Sequence, residues 1–173
     1  MAAIGPTAPR LVLSEAQAKI LNTVKAAAGN IGTAGKQTTT EVADAFRIHI
    51  PALQLAAGSA KATGDLHGTK YVASKTKELA DGLRSALKTA AEAPAGSAPD
   101  ARAPTADEVK TIAKQLKLLL VKARIALLNP NAQHANPAAQ RAAETAVRAS
   151  ETSLKALEAQ IAGNRKSAID IRA

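Results

Sequence analysis

The chain has no cysteine, no tryptophan and a single methionine. Without thiols there is no disulfide framework, no cysteine-ligated zinc and no thiolate nucleophile, and the expected address is cytoplasmic. Aromatic residues are nearly missing, with Phe46 and Tyr71 making up the whole set. That scarcity weighs against a sheet, whose strands favour aromatic and β-branched side chains. It also removes the stacking platforms that hold single-stranded nucleic acid. No uninterrupted apolar run approaches the ~20 residues that span a bilayer, and the opening MAAIGPTAPR lacks the apolar stretch of a signal peptide. Gly29-Asn30-Ile31-Gly32 and the glycines at 64 and 68 lack the GK[ST] ending of a phosphate loop and read as helix ends or turns.

Alanine and cations fill the space. A chain of 173 residues can bury one sizeable core, and an alanine-dominated composition favours closely packed helices, so the fold class is all-α. Lys and Arg number 23 against 14 Asp and Glu, for a net charge of +9. Such an excess suits acidic partners: nucleic acid, an anionic lipid surface or an acidic protein polymer. Charge by itself does not choose among them.

Residues 1–13, with Pro6 and Pro9, read as a loose lead-in to a single helical domain over 14–173. A first helix opens at Ser14 and carries Leu13, Ala16, Ile20, Val24, Ala27 and Ile31 at helical spacing, fading in the glycine-containing run 29–35. Thr38-Thr39-Thr40-Glu41 has the S/T-x-x-E form of a capping box. The second helix follows, with Val42, Ala45, Phe46, Ile50 and Leu53 on one side and Pro51 expected to kink or interrupt it. Residues 63–68 (TGDLHG) read as a turn. A third helix over 70–93 sets Val72, Leu79, Leu83, Ala86, Leu87 and Ala90 on one side. The stretch 94–104 (PAGSAPDARAP) is a low-complexity loop. Thr105-Ala106-Asp107-Glu108 is a second capping box, and the fourth helix it opens stops at Asn129-Pro130. Asn136-Pro137 supplies a cap and a first-position proline to a fifth helix through Val147, Leu154, Leu157 and Ile161, weakened at Gly163-Asn164. The sum is an elongated antiparallel five-helix bundle in which neighbours cover each apolar stripe.

Catalytic groups are scarce. His49, His67 and His134 are dispersed, with no pair at metal-ligand spacing, and read as solvent-facing or helix-end histidines. Glu41 and Glu108 already serve the capping boxes. No enzymatic activity, cofactor or metal is expected.

The fourth helix is more informative, because residues 115–128 (QLKLLLVKARIALL) are more apolar than one buried face requires. With residues ~100° apart and Lys110 at zero, Val109, Ile112, Leu116, Leu119, Leu120, Ala123 and Leu127 cluster between roughly 180° and 280°, which is the core face. Lys114, Lys117 and Arg124 fall within ~40° of Lys110, and Leu118, Val121, Ile125 and Leu128 lie beside and within that basic stripe, between about 0° and 80°. Either this is a central helix buried on most sides, or Leu118, Val121 and Ile125 form an exposed apolar strip among Lys117, Lys122 and Arg124. Burial of those cations without compensation would be expensive.

Gln115-Leu116-Lys117-Leu118-Leu119-Leu120-Val121-Lys122-Ala123 is similar to a fourth-helix segment in which Gln-Leu is followed closely by Val-Lys-Ala. Ser167-Ala168-Ile169-Asp170-Ile171-Arg172 resembles the end of the fifth helix of the same family, in register back to Val147, and Gly68-Thr69-Lys70 resembles a Gly-Thr-Lys opening its third. The family is that of the vinculin tail and the α-catenin actin-binding domain. The resemblance implies a five-helix bundle that binds the side of filamentous actin through helices four and five. Leu118 and, across a one-residue gap, Val121 fall at positions of the family's outer apolar residues. This chain is one residue shorter between Gln115 and Val121, lacks the family's first-helix tryptophan, and stops at Ala173 without the aromatic and basic extension linked to acidic lipid.

The expected function is therefore a noncatalytic actin-filament-binding module at the actin cytoskeleton or cell cortex, linking it to adhesion or cortical structures. Lys117, Lys122 and Arg124 would face acidic actin surface while Leu118, Val121 and Ile125 pack between subunits. Acidic phospholipid follows actin as a partner, with a second copy of the chain on filaments as a third. Duplex nucleic acid is disfavoured because the cations are spread over several helices without a reading helix. The alternatives are a talin-rod-like helical adaptor for another protein and a basic helical module on anionic membrane.

Overall fold

The structure, a computed structural model, describes residues 38–94, 96 and 103–170, with side chains through 164. All of these belong to the compact unit formed by 35–173. The first expected helix, from Ser14 to Ile31, lies outside the described residues, as do most of the loop 94–104 and the side chains of the terminal segment 167–172.

Among the described residues the chain is all-helical: α1 spans Thr39–Thr63, α2 Leu66–Ala91, α3 Ala106–Leu127, α4 Pro130–Gln133 and α5 Pro137–Asp170. α1, α2, α3 and α5 are the second to fifth helices expected from the sequence. α4 is a single turn that apolar periodicity does not reveal.

Local chemistry explains the boundaries. At the start of α1 the Glu41 amide donates to Thr38 Oγ1 (3.2 Å) while the Thr38 amide donates to Glu41 Oε2 (2.8 Å). Thr105 and Glu108 repeat the arrangement at α3 with the same two distances, 3.2 and 2.8 Å. Each box satisfies two amides that the helix leaves unpaired. Asn136 caps α5 by accepting from the Ala138 amide at 2.8 Å.

One boundary needs correction, at the start of α2, and two positions expected to disturb helices leave them continuous. Pro51 does not interrupt α1, which runs unbroken through it with the proline exposed; the carbonyl left without a donor is within reach of water there. The turn at 63–68 shrinks to Gly64 and Asp65. Asp65 accepts from the His67 and Gly68 amides at 3.0 and 3.1 Å, so α2 starts at Leu66 rather than at 70. α5 continues through Gly163 and Asn164 towards the terminus, as expected, since one glycine costs a helix only about 1 kcal/mol.

α4 closes the end of α1. The four last carbonyls of a helix have no partner within it, and here each finds one. The Gly64 amide reaches Ala60 O at 2.8 Å, Asn129 Nδ2 donates to Lys61 O and Ala62 O at 3.3 Å each, and Asn131 Nδ2 donates to Thr63 O at 3.1 Å. Gly64 itself is left-handed, with φ of 72°, and a β-carbon there would stand 2.8 Å from the Ala132 amide nitrogen. Gln140 then ties α5 to α4, donating to Ala132 O and Gln133 O at 2.6 and 2.7 Å.

The main core joins all four long helices. Leu53, Val72, Leu83, Leu116, Leu119 and Leu157 are its largest fully buried apolar side chains. Fully buried Ala57, Ala80 and Ala123 fill the places between them, where small side chains bring backbones close. On α3 the expected face is the observed one: Val109, Ile112, Leu116, Leu119, Leu120 and Ala123 are buried and Leu127 packs half-buried against them.

His49, read from the sequence as solvent-facing, is instead 2% exposed inside the helix packing, and neither ring nitrogen has a hydrogen-bond partner. Burial lowers its pKa below the ordinary 6.5, the Lys75 ammonium lowers it further, and Glu78 opposes both. The folded chain thus resists a proton that the unfolded chain accepts, so stability falls as pH drops below about 6.5.

Two outcomes follow for stability. Thermal melts from pH 7.5 down to pH 5 should show a midpoint that falls with acidification, and His49→Leu should flatten that fall; an identical profile in the variant would contradict the assignment. Gly64→Ala should cost at least about 1–2 kcal/mol through left-handed strain alone, with the α4 contact adding to it. Urea unfolding measures that loss.

Candidate functional site

The buried face of α3 determines what its opposite face presents. With Leu116, Leu119 and Ala123 fixed in the core, the helix turns Leu118, Val121, Ile125 and Leu128 outward, at 62%, 48%, 40% and 68% exposure. The intervals of three, four and three residues place them in one line, roughly 15 Å long at 1.5 Å per residue. Sequence spacing left open whether these side chains were buried by neighbouring helices; all four are exposed. Beyond this line the described chain exposes Ile48, Leu55 and Tyr71 as large apolar side chains.

The cations among the strip divide into two kinds. Lys117 Nζ stands 2.9 Å from Glu158 Oε1, and Arg124 Nη1 stands 3.3 Å from Glu151 Oε1. Seven residues forward along α3 therefore match seven residues back along α5. These pairs lie at the surface, with 62% and 72% of the Lys117 and Arg124 side chains exposed. Lys122, half-buried on the other flank, makes no ion pair among the described residues. The six expected site residues thus share one helix face and its two edges. Two of the three cations are already engaged by α5.

Arg148 and Lys155 were missed. With Arg141 they recur every seven residues along α5, are exposed, and form no ion pair among the described residues. Lys155 and Glu158 border a shallow groove of about 240 Å³ with Lys117, Val121, Arg124 and Glu151. A wider groove of about 470 Å³ continues from Arg124 and Glu151 past Leu128 to Arg148 and Gln140. The seven-residue recurrence was visible in the sequence, but nothing there placed the α5 row beside α3.

Around this surface, as elsewhere among the described residues, no group of three or more His, Asp or Glu could hold a metal, and no described helix is long and apolar enough to cross a membrane. The histidines do not converge on it: His49 is buried between helices, while His67 and His134 are exposed near the α1–α2 turn and the end of α4. What the surface offers is an apolar line edged by charge, a combination that supplies contact energy along its centre and orientation at its rim.

No family model matches the chain, and neither a curated protein nor a solved structure matches it. The likeness to the vinculin tail accordingly rests on the residues quoted above.

Proposed function

We propose that this chain is a noncatalytic module that binds the side of actin filaments, with the outer face of α3 as its principal contact. The observation that carries this reading is the joint exposure of Leu118, Val121 and Ile125, in line with Leu128, on a helix whose other face is fixed in the core. Burial of those side chains supplies the affinity, and Lys122, together with the cations along the α3–α5 edge, orients an acidic filament surface. The resemblance of residues 115–123 to the vinculin tail's fourth helix names the filament. With it come the expected elongated antiparallel five-helix bundle and a place at the cytoskeleton or cell cortex.

Co-sedimentation with actin filaments at low salt tests the proposal: the chain should pellet in a saturable manner. Leu118→Ala with Val121→Ala removes five carbons from the contact, at about 0.8 kcal/mol for each that was buried, so the affinity should fall on the order of tenfold or more. Folding stability should move by no more than about 0.5 kcal/mol, because both side chains are exposed in the free protein. Undiminished pelleting of the double variant would contradict the assignment of the strip.

A second reading has its own support. The three-four-three spacing of Leu118, Val121, Ile125 and Leu128 is that of a helix–helix seam, which fits a talin-rod-like adaptor holding another protein's amphipathic helix. Binding of such a helix by a chain that leaves filaments in the supernatant would decide for it.

A further inference from the structure

Three charged rows with a seven-residue period meet where α3 lies beside α5. Lys110, Lys117 and Arg124 run along α3, Glu144, Glu151 and Glu158 along α5, and Arg141, Arg148 and Lys155 along the outer side of α5. The acidic row stands between the two basic ones, and two of its members hold Lys117 and Arg124 at 2.9 and 3.3 Å. Exposed pairs of this kind add only about 0–1 kcal/mol to folding, so their weight in the fold is small. Their effect on an incoming anion is larger. A phosphate that approaches Lys117 or Arg124 meets a carboxylate already in place, and a cation so engaged contributes less to the release of counterions that drives nonspecific binding to nucleic acid.

We propose that Glu151 and Glu158 are specificity-determining residues that withhold Lys117 and Arg124 from bare polyanions. Charge on this face of a chain with net charge +9 then retains a polyanion less than the count of its cations implies, and an acidic partner gains further by burying the apolar strip. That last step rests on the filament reading above; the withholding of the two cations does not.

The probe is a short duplex DNA, a polyanion with no apolar ridge to offer the strip. Glu151→Gln with Glu158→Gln preserves side-chain shape at two partly exposed positions, and circular dichroism verifies that the variant is folded. Its affinity for the duplex should rise roughly tenfold at about 50 mM salt, and the slope of log K against log salt should steepen by about two, near 0.9 for each cation freed. Asp44→Asn with Asp81→Asn raises net charge by the same amount but acts on Arg47 and Lys77, in α1 and α2; it should gain much less. An unchanged slope in the glutamate variant, or an equal gain in the charge-matched control, would overturn the proposal. Actin filaments run alongside should gain less than threefold from the glutamate substitutions, since the strip sets their affinity. A gain for filaments equal to that for DNA would also overturn the specificity assignment. Absence of filament binding by the unaltered chain would instead overturn the actin reading and leave the duplex result standing.

Discussion

Leu116, Leu119 and Ala123 are packed against α1, α2 and α5 in the main core, and this fixes the rotation of α3 about its own axis. Everything on the outer surface of that helix depends on it. A rotation of one residue, about 100°, would carry Leu118 and Ile125 toward a flank and bring charged side chains toward the core, where they would have no partners. The capping box at Thr105 and the Asn129 clasp define the two ends of the same helix. α3 is thus held in register as well as in rotation, and its exposed hydrophobic line is a consequence of how firmly the other face is held.

Electrostatics refine that surface without creating it. The strip lies between half-buried Lys122 on one side and the paired Lys117 and Arg124 on the other. Because two of the three cations first associated with the strip are engaged by α5, Arg148 and Lys155 join exposed Lys114 as the positive charge that most freely meets a partner. A partner spanning both rows meets apolar surface on α3 and basic surface on α5, separated by a neutralised band. On the proposed reading, such a partner is a broad, shaped, acidic surface, whereas a flexible anionic chain has nothing to fill the apolar line.

Much of the fold was legible because its signals are local. Both capping boxes act across three residues, and the core face of α3 follows from helical periodicity within a single segment. The start of α2 was misread because Gly68 argued for a turn, whereas two amide bonds to Asp65 hold the first helical turn together. His49 was misplaced for a different reason: an imidazole without a partner gives no sign in the sequence that the folded chain will bury it. The pairs Lys117–Glu158 and Arg124–Glu151 join residues far apart in the chain, and α4 earns its place through side-chain bonds to the end of α1 rather than through periodicity. Within the candidate site, the membership of the strip could be read from spacing, but its exposure depended on where the neighbouring helices lie.

The central claim is that α3 meets an actin filament with the face carrying Leu118, Val121 and Ile125. A cryo-electron-microscopy reconstruction of filaments decorated with the chain tests it most directly. The account predicts those three side chains buried against actin, with the core face of α3 still covered by its own helices. Decoration through another face, with the three side chains left in solvent, would contradict it.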